Sequence, residues 1–316
     1  MARFDRLIDD LMDVTVVPGY TRLGFALRSR SRDWEQLVDG ALNGRTVVIT
    51  GATSGLGLAT ARRLRTLGAN LVLVGRDRER TERAAREIAG SSTDAVDVHV
   101  ADMAEPAQVR EVSTALARLG TIDVLVHNAG ALSKGRVVNS IGMETTLAAQ
   151  VIGPHIMTTS LIDSLVGGRV ITVSSGGMYA APLPNVDDPT TSVLRAAGYD
   201  GTRQYAAAKR MQVTLNEMWA TRESRVCFAA MHPGWADTPG VRTSLPGFAR
   251  ITGPLLRDAD EGADTTVWLA ATRTDIGSGG FWCDRARRPI HKLPSTRRSD
   301  TPDRREALWR WCEGQL

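Results

Sequence analysis

Short apolar runs alternate with amphipathic ones along most of the chain, and no other feature restricts the fold as strongly. "RTVVIT" (45–50), "NLVLVG" (70–75), "VDVHVA" (96–101), "IDVLVHN" (122–128), "RVITVSS" (169–175) and "RVCFAAMHP" (225–233) are β-branched and almost wholly apolar. Strands buried on both faces of a parallel sheet read this way. Between them lie "LGLATARRLRTLG" (56–68), "DRERTERAAREIAG" (77–90) and "PAQVREVSTALARLG" (106–120), each closing on glycine, as helices often do. Strand–helix alternation at this spacing predicts right-handed βαβ units. The fold class is therefore α/β: a doubly wound parallel sheet with helices on both faces, in a single domain.

That core is expected over 44–283. An N-terminal helical extension, 1–43, holds one or two short helices around "VVPGYTRLGFALRSR"; a C-terminal extension, 284–316, passes from an Arg- and Pro-rich link into "PDRREALWRWCEGQL". There Pro302 follows Thr301, and Leu308, Trp309 and Cys312 recur at helical spacing, so a closing helix is predicted. The 39 basic and 35 acidic side chains give a net charge of +4. The two signs are interspersed, as on a solvated surface, and nucleic acid is not an expected partner. Three cysteines without CxxC spacing, and no clustered histidines, indicate neither a disulfide framework nor a metal site. A reducing, cytoplasmic compartment is expected. "MARFDRLIDDLMDV" lacks the apolar stretch of a secretory signal, and no run of about eighteen apolar residues predicts a membrane span. Residues 14–27, "VTVVPGYTRLGFAL", leave peripheral membrane contact as an alternative to burial against the domain.

The first strand runs into "TGATSGLGLATARRL". Glycines at 51, 55 and 57 permit a tight turn, let a pyrophosphate approach the backbone, and let the helix sit close to the sheet. The helix N-terminus then offers amides and a positive pole to phosphate. The spacing is Gly-x-x-x-Gly-x-Gly. With "NAG" (128–130) ending the fourth strand and "YAAAK" (205–209), in that order, it resembles the short-chain dehydrogenase/reductase family over about residues 44–283. "YDGTRQYAAAKRMQV", "MHPGWADTPGV", "EGADTTVWLA" and the "GFWCDR…HKLP" ending are similar to one branch of it. The resemblance implies a Rossmann-like fold and a nicotinamide cofactor held by Gly51, Thr53, Ser54, Gly55, Leu56, Gly57, Asp102, Met103, Asn128, Ala129, Gly130, Tyr205, Lys209, Pro233, Gly234, Trp235 and Thr238. Asp102 would lie beside adenine, with loop capping as its plainer reading, and Thr238 would donate to the carboxamide.

An acid closing the second strand would hold a ribose 2′-hydroxyl, whereas an arginine there accepts a 2′-phosphate. This chain has Gly75 and then Arg76, so NADP is favoured over NAD. Asp77 either neutralises Arg76 or caps the next helix.

Hydride transfer at a carbinol needs a group that passes a proton to or from the substrate oxygen. A phenol with pKa near 10 is a poor base near neutrality, but a cation nearby lowers it. Lys209, four residues after Tyr205, shares its helix face. Tyr205 is thus the expected acid/base, Lys209 its tuner and ribose anchor. By resemblance, Ser175 (alternately Ser174) orients the substrate oxygen, and Gln150 stands where the family has an asparagine in a proton relay. Trp235 and Phe248 are candidates for the substrate pocket, while His232 reads as structural. The insert "PLPNVDDPTTSVLRAAGYDGTRQ", rich in Pro and Asp, is expected to lie over the cleft rather than in the core. The expected function is NADP(H)-dependent interconversion of a ketone or aldehyde and its alcohol, on a lipophilic small molecule. The alternative is a cofactor-binding regulatory or docking protein with weakened catalysis. Homo-oligomers are common in the family.

Overall fold

The computed structural model describes residues 9, 12–13, 19–31, 34–90, 96–188, 191, 193–237, 242, 247, 250 and 252–316. Helix α1 (Arg22–Ser31) precedes the sheet. Then come β1 (Thr46–Thr50), α2 (Gly55–Thr66), β2 (Asn70–Gly75), α3 (Arg78–Ala89), β3 (Asp97–Val100), α4 (Pro106–Ala117) and β4 (Val124–His127). A turn of α-helix at Thr145–Leu147 and a π-helical turn at Ala148–Ile152 lead into α5 (Gly153–Leu161). The chain continues through β5 (Arg169–Val173), α6 (Gly201–Arg222), β6 (Cys227–Met231), α7 (Ala259–Ala271), β7 (Gly280–Cys283), β8 (Ala286–Arg287), α8 (Pro294–Ser299) and α9 (Pro302–Glu313).

The strand order is β3-β2-β1-β4-β5-β6-β7-β8. Every pairing from β3 to β7 is parallel, and only β7–β8 is antiparallel. Successive side chains of a strand point to opposite faces, and β1 feeds two cores accordingly. Val48 joins Leu125, Val170 and Phe228 against α4, α5 and α6, with Leu308 of α9 closing that side. Val47 and Ile49 join Leu73, Val126 and Ile171 against α2, α3 and α7. The apolar runs of β1, β2, β4, β5 and β6 are legible because both faces are largely shielded from water, as the Rossmann-like arrangement requires; edge strand β3 is only half-buried.

Two elements escape the sequence pattern. The β7–β8 hairpin turns on Asp284 (φ 52°) and Arg285 (φ 53°), left-handed positions normally given to Asn, Asp or Gly, so that Arg285 is the unusual residue. Burial pairs explain why these residues tolerate it. Asp284 bonds Arg28 and Arg257, and Arg285 bonds Asp264. The insert after Ser175 is also not confined to a cover. Leu183, Val186 and Val193 are buried in the core on the α5–α6 side, and Leu183 N donates to Ser299 Oγ at 2.9 Å. Its few apolar residues, outnumbered by Pro and Asp, find the groove beside the C-terminal helices.

The chain order reverses between β1 and β4, so a crevice opens at the carboxyl ends of these strands. The described candidate site residues follow strand ends or lie on α6 or the π-turn.

Candidate active site

The β1–α2 turn carries Gly51, Thr53, Ser54, Gly55, Leu56 and Gly57. Gly51 adopts φ 71° and Gly55 φ 53°. A Cβ on Gly57 would lie 2.4 Å from both Asn128 Nδ2 and Gly51 O, so the turn closes only with glycine there. Asn128 fastens it from the β4 side. Its Nδ2 donates to Thr50 O and Gly51 O, each at 3.0 Å. Thr50 Oγ1 accepts from Asn128 N and Ala129 N, each at 3.1 Å. Thr50 was not singled out from the sequence, although a hydroxyl ending a buried strand was the available signal. Ser54 stands at the N-cap of α2 without a side-chain capping bond. The amides and positive pole of that helix thus face the crevice free for an anion. These residues fit a dinucleotide phosphate.

After β2, a Cβ on Gly75 would lie 2.2 Å from Thr81 Oγ1; an acid has no room there. Arg76 is exposed. Asp77 caps α3, accepting from Arg80 N at 2.9 Å, and among the described residues no carboxylate pairs with Arg76. After β3, Asp102 Oδ1 accepts from Ala104 N at 2.9 Å, which shapes the turn; Met103 is buried.

Helix α6 starts at Asp200, whose carboxylate accepts from Thr202 N and Arg203 N at 2.9 and 3.1 Å. It presents Tyr205 and Lys209 to the end of β5. Lys209 Nζ lies 5.3 Å from the centre of the Tyr205 ring and donates to Val173 O at 2.9 Å. The two serines separate cleanly. Ser174 Oγ donates to Lys209 O at 3.0 Å and ties the helix to the strand. Ser175 Oγ accepts from Gly177 N at 3.2 Å, and its side chain hydrogen-bonds Tyr205.

The electrostatics differ from the simplest expectation. Burial pushes the Tyr205 hydroxyl up to about 12, against a smaller lowering by the Ser175 hydrogen bond. Burial also pulls Lys209 down to about 7. The Lys209 amino group sits over the ring face with one donor on a carbonyl, and desolvation is the leading influence on both groups. A tyrosine of this kind holds its proton at neutral pH.

The π-turn places Gln150, wholly buried, behind Gly130. A Cβ on Gly130 would lie 3.1 to 3.2 Å from the Gln150 amide. Gln150 Nε2 donates to Ala131 O at 2.8 Å, and Gln150 O accepts from Gln212 Nε2 at 2.7 Å. Its Oε1 is buried without a partner. Gln212 escaped the sequence reading, yet it stands three residues beyond Lys209 on the same helix face.

After β6 come Pro233, Gly234 and Trp235, all half-buried. Gly234 has φ 74°, and a Cβ there would lie 2.5 Å from the Arg257 guanidinium. His232 is buried, accepts from Gly234 N at 3.3 Å, and is held neutral by burial. Thr238 and Phe248 lie outside the described residues.

The family model of the short chain dehydrogenases matches residues 45–183. Dehydrogenase/reductase SDR family member 12 of Bos taurus is 39% identical over 92% of this chain and 91% of its own length. The Homo sapiens protein of that name is 39% identical over 84% of each chain. The solved 3-ketoacyl-(acyl-carrier-protein) reductase from Brucella melitensis, complexed with NADH, is 26% identical. It superposes with TM-score 0.60 over 76% of this chain and 96% of its own. With its glycine turn, Asn128–Gly130 and the Tyr205–Lys209 pair at one strand edge, the chain belongs to the short-chain dehydrogenase/reductase family and has that family's nicotinamide-dependent oxidoreductase activity.

Proposed function

We propose that this protein is an NADP(H)-dependent oxidoreductase that interconverts a lipophilic ketone or aldehyde and its alcohol. The gathering of Tyr205, Lys209 and Ser175 at the carboxyl end of β5 carries the reading. NADP(H), when bound, supplies or takes the hydride. The glycine turn and the α2 N-terminus would hold its phosphates, Arg76 a 2′-phosphate, and Lys209 the ribose. Asp102, Met103, Asn128, Pro233, Gly234, Trp235 and Thr238 would line the rest of its cleft.

The protein's own work is proton transfer and orientation. Ser175 hydrogen-bonds the substrate oxygen and aims it at Tyr205. Tyr205, protonated at neutral pH, donates its hydroxyl proton to that oxygen as a carbonyl is reduced, and takes it back in the reverse direction. Lys209 steadies the phenolate that this leaves, and Gln150, backed by Gln212, is the relay member behind it. Preference for NADP rests on exposed Arg76, on the engagement of Asp77 in its helix cap, and on the absence of room for an acid at 75. The exposed apolar side chains Val137, Val138 and Ile141, on the segment after Asn128–Gly130, support a lipophilic substrate. Three free cysteines, two of them buried, support a reducing compartment such as the cytoplasm. Among the described residues no helix is long and apolar enough to cross a membrane.

Tyr205→Phe is the deciding variant. Turnover of lipophilic carbonyls should fall by about 10²–10⁴-fold, while NADPH binding stays within about twofold because the ring and Lys209 remain. Wild-type rates in the variant would sink the assignment. A second reading is favoured by the Gln150 backbone carbonyl, already taken by Gln212 Nε2: a cofactor-binding docking protein with weakened chemistry. NADPH binding without turnover across a carbonyl and alcohol panel, and activity gained by Gln150→Asn, would point there.

A further inference from the structure

We propose that Tyr20, from the segment before the sheet, is a positioning residue for the nicotinamide end of the site. This rests on the cofactor reading above. Tyr20 is 3% exposed and fills the gap between two loops of the site. On one side is the turn that carries Ser175: a Cβ on Gly176 would lie 2.8 Å from Tyr20 Cε2. On the other is the Pro233–Trp235 loop. Trp235 N donates to Tyr20 O at 2.7 Å, and a Cβ on Gly234 would lie 2.7 Å from the same oxygen. The Tyr20 ring also meets His232 edge-on at 4.6 Å.

The segment is gripped at both flanks of Tyr20. Arg28 Nη1 donates to Gly19 O at 2.7 Å. Arg257 donates to Gly19 O at 3.2 Å, to Thr21 O at 3.3 Å and to Pro233 O at 3.1 Å. One guanidinium thus holds both the segment and the loop that the segment supports. Lys292 Nζ, itself paired with Asp13, donates to Tyr20 OH at 3.2 Å. A segment that served only to cover apolar surface would not need its backbone carbonyls bonded into a loop of the active site. The spacing of Ser175 from the nicotinamide-side loop is set by the thickness of this ring, and a smaller side chain lets the two approach or drift.

The test separates positioning from bulk stability by using two ligands. NADPH carries the nicotinamide; 2′-phospho-ADP-ribose lacks it and engages only the adenine, ribose and phosphate seats. In Tyr20→Ala, NADPH should bind about tenfold more weakly and lose the enhancement of its nicotinamide fluorescence. The fragment should bind as it does to the wild type. Tyr20→Phe keeps the ring and should retain both properties. Gly176→Ala presses on the same ring from the other side and should reproduce the selective loss, relieved by adding Tyr20→Leu; this variant decides if Tyr20→Ala does not fold. Equal weakening of both ligands, or wild-type NADPH binding in a folded Tyr20→Ala, would overturn the proposal. A wild-type protein that binds neither ligand would overturn the cofactor reading and this one with it.

Discussion

At the scale of single residues, desolvation sets the chemistry of the site more than charge pairing does. Lys209 titrates near 7 in the fold and near 10.5 when its ammonium is fully solvated, because burial disfavours the charge. Between those values the unfolded chain binds the extra proton, so stability rises with pH by up to about 1.4 kcal/mol per unit. The cost is fully present below pH 7 and fades toward 10.5. Lys209→Met removes this ionisation. Urea unfolding at pH 7 and pH 9 should show the wild type gaining stability relative to the variant. Parallel pH trends would mean that the lysine is solvated after all. Arg76 presents the opposite situation, an exposed cation with no carboxylate partner among the described residues. Arg76→Ala should weaken NADPH binding by about tenfold and leave NADH nearly unchanged. Equal losses for the two cofactors would remove the basis for NADP preference.

Among elements, α6 does the most to assemble the site, because one helix face carries Tyr205, Lys209, Gln212 and Asn216. Its start is fixed by Asp200, which accepts from two amides of the first turn. Asp200→Ala should cost about 1 kcal/mol in denaturant stability, with a proportionate drop in activity only near the unfolding midpoint. A large loss of kcat under fully native conditions would show instead that the cap sets the reach of Tyr205. Much of this element was legible, because the i, i+4 spacing of Tyr205 and Lys209 is local; Gln212, three residues further on the same face, was not singled out. Strands β1, β2, β4, β5 and β6 were legible because two largely buried faces demand nearly continuous apolar runs, whereas the edge strand β3, with no buried residue, was legible from its alternating valines. The π-turn under Gln150 was not, since one extra residue per turn leaves no compositional mark. Nor was β7–β8, where Arg285 follows Asp284 in left-handed backbone that sequence rules give to Gly, Asn or Asp. Ser175 was preferred to Ser174 on resemblance alone; the physical difference between them, a Ser174 hydroxyl spent on Lys209 O, is visible only in the fold. Tyr20 was beyond reach for a different reason. Its contacts join residues more than 150 positions apart, and an aromatic in an N-terminal segment carries no sign of them.

Across the whole molecule, one carboxylate ties the N-terminal segment, the loop after β6 and the end of the sheet together. Asp284 bonds Arg28 Nη1 at 2.6 Å, Arg257 Nη1 at 2.6 Å and Arg257 Nη2 at 2.9 Å. Asp9 bridges the neighbouring Arg28 and Arg288. Burial alone would raise the Asp284 pKa, but the two guanidinium groups prevail and hold it at about 2. A buried cluster of this kind is expensive to desolvate, and breaking it is worse than never building it, because the remaining charges stay buried. Asp284→Asn isolates the charge: asparagine tolerates the left-handed backbone as well as aspartate does, so the hairpin geometry is not disturbed. The variant leaves Arg28 and Arg257 facing a neutral amide and should lose about 3–5 kcal/mol at pH 7. The sign of the pH dependence follows from the lowered pKa. The carboxylate's contribution is present above 3.8 and is lost as pH falls through about 2, so the gap between wild type and variant should narrow over that interval. Chemical denaturation of both proteins from pH 6 down to pH 2 measures the gap directly. A gap that stays constant through acid would place the contribution of Asp284 in shape rather than charge, and the N-terminal segment would then be held by its other bonds, those of Arg28 and Arg257 to the Gly19 and Thr21 carbonyls.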